Sequence, residues 1–163
     1  MNAILLLAHA PLASALRTCA LHVFPDAGLQ VIAVDVHADH GVEDTLCQAR
    51  NALDGPQCDR VQCDGIPPYD GILVLTDMQG ATPGNVARKF VEESPRPARL
   101  LCGANLPMLL RAVTYCGEPL DAMLERARAG GIQGVVAYAP DMPSLTSSST
   151  FATHPPISES TPR

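Results

Sequence analysis

Apolar residues fall in short unbroken runs separated by stretches in which they recur every three or four positions. Ala3–Leu7, Gln30–Val34 and Gly71–Leu75 are continuous apolar runs that end in polar or turn residues, the pattern of strands covered on both faces of a parallel sheet. Arg99–Cys102 and Gly134–Ala137 are shorter runs of the same kind. Between Pro11 and Phe24, Leu12, Leu16, Cys19, Ala20 and Val23 repeat at helical spacing, and Pro11 suits a first helical turn, where an amide proton would have no intrahelical partner. Val42–Leu53, Pro83–Glu93, Leu106–Cys116 and Leu120–Ala129 continue the alternation. The expected order is β-α-β-α-β-α-β-α-α-β, an α/β fold with a mainly parallel central sheet and helices on both faces.

Composition changes after Tyr138. Residues 139–163 are crowded with Pro, Ser and Thr and offer almost no large apolar side chains, so they cannot offset the entropy of ordering and are expected to form a disordered tail behind one folded domain at 1–138. Of the 163 residues, 11 are basic and 17 acidic, a net charge of −6. No Lys or Arg cluster provides a nucleic-acid footprint, so nucleic acid is not an expected partner. The longest apolar runs, such as Ala3–Ala8, fall far short of the roughly 20 residues that span a bilayer. The start lacks the basic region of a secretion signal, and a cytoplasmic protein without membrane insertion is expected. Six cysteines (Cys19, Cys47, Cys58, Cys63, Cys102, Cys116) form no CxxC pair and are read as reduced, most of them packed as small hydrophobes.

In such sheets the functional crevice lies beyond the carboxyl ends of the strands. His9 follows the first run, Asp35 and His37 the second, Thr76 and Asp77 the third, Gly103 and Asn105 the fourth. Placed before a helix near Ala10 or Pro11, His9 would lie at the positive end of a helix dipole, which favours neutral imidazole and offers unpaired N–H donors to an attached phosphoryl group. If the first and third strands are neighbours, the Asp77 carboxylate can accept a hydrogen bond from one ring N–H, fixing the tautomer and leaving the other nitrogen free to attack. In Gly80-Ala81-Thr82-Pro83, Thr82 is a candidate N-cap with Pro83 at the first helical position. Position alone leaves open a His9 that caps a helix and an Asp77 that closes an Asx turn.

Three segments carry a resemblance over about residues 1–136: Ile4-Leu5-Leu6-Leu7-Ala8-His9, Val74-Leu75-Thr76-Asp77-Met78-Gln79-Gly80-Ala81-Thr82-Pro83-Gly84-Asn85, and Gly103-Ala104-Asn105-Leu106-Pro107-Met108-Leu109. In order and spacing they resemble the mannose-type enzyme IIA component of the phosphoenolpyruvate-dependent phosphotransferase system. The resemblance implies that His9 is phosphorylated by the phosphocarrier HPr and passes the group to an enzyme IIB partner. It further implies that Asp77 orients the ring, that Thr82 hydrogen-bonds the phosphoryl group, and that the chain forms a homodimer. Ala8-His9-Ala10 stands where the family usually has Ser-His-Gly, and Gln79 and Ala81 stand where an aromatic residue and a second glycine are common.

No IIB domain is expected after Tyr138. The role is then a link in sugar uptake with IIB on another chain, or, favoured by analogy, a sensor of phosphorylation state acting on a regulatory target. Three other readings compete. A nucleotide-binding domain lacks its GxGxxG or P-loop after the first strand. A metal site built from Asp35, His37, His40 and Cys47 competes with a plain solvated loop. A non-catalytic regulatory binding module of the same fold is the principal alternative, suggested by Ala8, Ala10 and Gln79. No cofactor and no metal are called for.

Overall fold

The computed structural model describes residues 1–54 and 69–138; Cys58, Cys63, His154 and the tail expected over 139–163 lie outside them. Among the described residues the order is β1 (Ala3–His9), α1 (Leu12–Val23), a 3₁₀ turn (Pro25–Leu29), β2 (Val31–Val36), α2 (Val42–Asp54), β3 (Ile72–Thr76), α3 (Thr82–Glu92), β4 (Ala98–Cys102), α4 (Leu106–Thr114) and α5 (Leu120–Gln133). The four strands form one sheet in the order β2-β1-β3-β4, and every pairing is parallel.

Strand alternation sorts the apolar side chains onto two faces. Ile4, Leu6 and Ala8 of β1 and Leu73 and Leu75 of β3 meet Leu16 and Ala20 of α1, Met108 and Leu109 of α4, and Met123 of α5. On the other face Ala3, Leu5, Leu7 and Val74 meet Leu46 and Ala49 of α2 and Val86 and Phe90 of α3. Helices therefore cover both faces, which is why the strands read as continuous apolar runs. Among the described residues no helix is long and apolar enough to cross a membrane.

The structure corrects the expected ends of several elements. Helix α5 runs on to Gln133 instead of stopping at Ala129. Gly130 and Gly131 look like helix terminators in sequence, yet they are packing positions: a Cβ on Gly130 would sit 2.3 Å from Arg111 Cγ. Close approach of α4 and α5 overrides the low helix propensity of glycine. The run Gly134–Ala137 does not join the sheet; Val135 and Val136 are 79% and 78% exposed, because among the described residues no strand pairs with this segment, and the Gly134 and Val135 N–H groups instead donate back to the Gly130 and Ile132 carbonyls. At the amino end, Asn2 donates to the carbonyls of Cys116 and Glu118 and ties the entry of β1 to the α4–α5 connection.

The described cysteines Cys19, Cys47, Cys102 and Cys116 are free thiols. Packing as small hydrophobes holds only in part: Cys19 and Cys47 are exposed and the other two half-buried, since the helical stripe of α1 turns Cys19 outward. Burial pushes the Cys102 thiol above its ordinary value.

Leu5 is fully buried between β1 and the α2–α3 layer. Leu5→Ala is expected to lower unfolding free energy by about 2–5 kcal/mol, read as a fall in the midpoint of a urea titration.

Candidate functional site at the carboxyl edge of the sheet

Register delivers the site. In the β1–β3 pairing Leu7 lies opposite Thr76, so the chain leaves both strands at one edge, with His9 ending β1 and Asp77 following β3. The His9 ring nitrogen Nδ1 lies 2.6 Å from Asp77 Oδ2, and the same oxygen accepts the backbone N–H of His9 at 3.2 Å. Asp77 Oδ1 accepts the Met78 N–H at 2.9 Å. The imidazole is half exposed, at 51%, whereas the carboxylate is largely covered, at 14%.

Burial alone would raise the Asp77 pKa, but the hydrogen bonds from the His9 ring and backbone, the charge of the ring and the Met78 N–H outweigh it, and the carboxyl is held below its ordinary value. An ionised carboxylate can only accept. On neutral His9 the proton therefore sits on Nδ1, and Nε2 keeps its lone pair.

The backbone around Asp77 is pinned from β4. Gly103 N–H donates to the Asp77 carbonyl at 3.1 Å and Ala104 N–H to the Thr76 carbonyl at 2.9 Å. On the other side Gly84 in the first turn of α3 lets the helix press on the Asp77–Gly80 loop, where a Cβ would fall 2.4 Å from the Met78 carbonyl oxygen. Asn105, expected at the strand end, is the N-cap of α4: it accepts the Met108 N–H at 3.0 Å and donates to the Gly103 and Gly131 carbonyls.

Two helix starts flank His9, α1 on one face of the sheet and α3 on the other, and both depart from expectation. Ala81 is the N-cap of α3, with no side-chain capping bond, and Thr82 is the first helical residue. Extended backbone at Ala81 (φ −82°, ψ 171°) brings the chain into the helix one residue before the expected cap, leaving Thr82 exposed, its hydroxyl unpaired among the described residues. Pro11 occupies the N-cap of α1 and provides no capping side chain.

The cap of α1 comes instead from β2. Asp35, opposite Ala8 in the sheet, accepts the Ser14 N–H at 3.1 Å through Oδ1 and the Ser14 hydroxyl through Oδ2. A carboxylate at this point of a helix contributes about 1 kcal/mol. Asp35 was visible as a strand-end residue, but its link to Ser14 was not; a proline-started helix without its own cap is the available signal. One of the amide donors expected to face a phosphoryl group on His9 is thereby already taken.

His37 and His40 lie on the loop after β2 with ring centroids 5.2 Å apart. Among the described residues no three His, Cys, Asp or Glu side chains gather closely enough to hold a metal ion.

Because the Asp77 pKa is lower in the folded chain than in the unfolded one, the stability it contributes is whole above the ordinary value of 3.8 and is lost as pH falls through the depressed native value. Asp77→Asn should accordingly be less stable than wild type at pH 7, and the gap should close below about pH 4, as read by chemical denaturation across that range.

The family model of the EIIA-man type, described as the phosphotransferase-system fructose IIA component, matches residues 3–127. Comparison with curated proteins found no match. Among solved structures, the phosphotransferase-system component EIIA from Streptococcus agalactiae is 22% identical with a TM-score of 0.69, over 84% of this chain and 97% of that one. The mannose/sorbose-specific IIA subunit from Enterococcus faecalis is 23% identical with a TM-score of 0.66, over 89% and 98%. A sigma-54 interaction domain protein from Enterococcus faecalis is 17% identical with a TM-score of 0.61, over 81% and 91%. These structures share the α/β fold, and the family match over 125 residues, together with that fold, establishes that the chain belongs to the EIIA-man family of phosphotransferase-system IIA components.

Proposed function

We propose that the protein is a cytoplasmic phosphocarrier that accepts a phosphoryl group from phospho-HPr on Nε2 of His9. The group is then passed to an enzyme IIB partner or read as a regulatory signal. The observation that carries this reading is the 2.6 Å contact between His9 Nδ1 and Asp77 Oδ2, which occupies one ring nitrogen and leaves the other on an exposed imidazole.

In the transfer the Nε2 lone pair attacks phosphorus, the new N–P bond forms, and the N–P bond of the donor breaks with its electron pair returning to the donor ring. The proton stays on Nδ1, hydrogen-bonded to the ionised Asp77 carboxylate, so Asp77 offsets the positive charge that develops on the ring. Thr82 is the residue we assign to the phosphoryl oxygens, supported by its exposed, unpaired hydroxyl at the first residue of α3. Backbone N–H groups of the α1 and α3 starts that remain free are suited to the same anion. A homodimer belongs to the same reading, supported by the exposed apolar side chains of Val135 and Val136. The non-catalytic module keeps the fold without being phosphorylated, and its partner interactions would be indifferent to His9.

Intact mass of the purified chain after incubation with phosphoenolpyruvate, enzyme I and HPr tests the proposal, beside a His9→Ala variant. The expected result is a gain of one phosphoryl group, labile to acid and absent from the variant. No gain with active upstream proteins from the same organism would put the non-catalytic module first.

A further inference from the structure

The segment around His9 is held on three sides, and each restraint is identifiable. Asp77 takes its ring and its N–H. The next residue, Ala10, donates its N–H to the Val36 carbonyl of β2 at 3.1 Å. Beyond it Pro11 has no amide proton, and the first turn of α1 has no cap from its own sequence. The two-point clasp of Asp35 on Ser14 supplies the missing cap, and further along the helix the burial of Ala13 and Leu16 and the hydrogen bonds of Arg17 to the Val31 and Gly28 carbonyls hold it to the sheet. Asp35 and Val36 are consecutive residues of β2, so one short piece of that strand grips the chain on both sides of Pro11. If the clasp were released, the first turn of α1 could shift against the sheet, and the Ala10-Pro11 link would carry that shift to His9, which ends β1 opposite Val36, changing the angle at which its ring meets Asp77.

We infer that Asp35 is a positioning residue for phosphoryl transfer, acting through Ser14 and the α1 start to keep the His9 imidazole in line with Asp77. It does not touch the reacting atoms. The inference deepens the phosphocarrier reading and rests on it for the transfer rate, whereas its effect on ring geometry can be measured with no phosphoryl donor present.

The test compares wild type with Asp35→Ala, Asp35→Asn and Ser14→Ala in the full chain, with folding checked by circular dichroism. Two quantities are read: the rate of phosphoryl transfer from phospho-HPr as a function of its concentration, and the ¹⁵N spectrum of the His9 ring at pH 8 without donor. Misplacement of reacting groups by about an ångström can cost 10²-fold, so Asp35→Ala is expected to lower the maximal rate about 10- to 100-fold while KM for phospho-HPr stays within twofold. In the same variant the ring nitrogens should move from the shifts of a single Nδ1–H tautomer toward those of a mixture. Asp35→Asn keeps an oxygen for the Ser14 N–H and should recover most of the rate and the single-tautomer spectrum.

A folded Asp35→Ala variant with wild-type rate and ring spectrum overturns the inference. So does a loss expressed as raised KM with an unchanged spectrum, which would make Asp35 part of the donor-docking surface. If wild type itself takes no phosphoryl group, the phosphocarrier reading fails and the ring spectrum alone decides the positioning role. Should Asp35→Ala fail to fold, the milder Ser14→Ala decides: a shift in its spectrum sustains the role and an unchanged spectrum rejects it.

Discussion

Everything at the site depends on the parallel pairing of β1 with β3 in a register that sets Leu7 against Thr76. Side chains alternate along a strand, so a slip of one residue would exchange the two packed faces of β1, setting its leucines against the wrong helix layers, and would turn His9 away from Asp77. The register is therefore held by the burial of Ile4, Leu5, Leu6 and Leu7, residues that take no part in any chemistry. A single constraint, the burial of two apolar sheet faces, thus sets both the stability of the domain and the 2.6 Å contact at its edge.

The crevice follows from what parallel strands do at their ends. Each strand hands over to a helix or loop at the same edge, so helix amino termini and strand-end polar residues collect there without any requirement for sequence proximity. Asp77 benefits twice. Its carboxylate is covered enough to act strongly on the imidazole, and its backbone is clamped between Gly103, just past β4, and the close approach of Gly84 in α3. Low solvent exposure normally opposes ionisation; here the donors of His9 and Met78 prevail, and the group stays an acceptor.

The departures from the usual family pattern find a partial structural account. Ala10 and Pro11 stand between His9 and α1, a stretch stiffer than one with glycine, and the helix that follows takes its cap from a neighbouring strand. Ala81 at the start of α3 is an N-cap without a capping side chain, and among the described residues the hydroxyl of Thr82 beside the crevice is unengaged. Gln79 is exposed, and nothing in the structure explains its place there.

Sequence alone determined the α/β class, the strand-helix alternation, and the placement of His9 and Asp77 at strand ends, because burial on both faces writes continuous apolar runs and helices write a repeat of three to four. Local pattern could not settle where helices begin and end. Gly130 reads as a stop but is a contact with Arg111, and Thr82 reads as a cap but is already helical. Nor could it show that Gly134–Ala137, apolar like a strand, stays outside the sheet of this chain. Only tertiary structure decided which separated residues meet: His9 with Asp77, 68 positions apart, and Ser14 with Asp35, 21 apart. Such pairs are specified by sheet register and helix packing, which are properties of the assembled core and leave no trace in the spacing of the residues themselves.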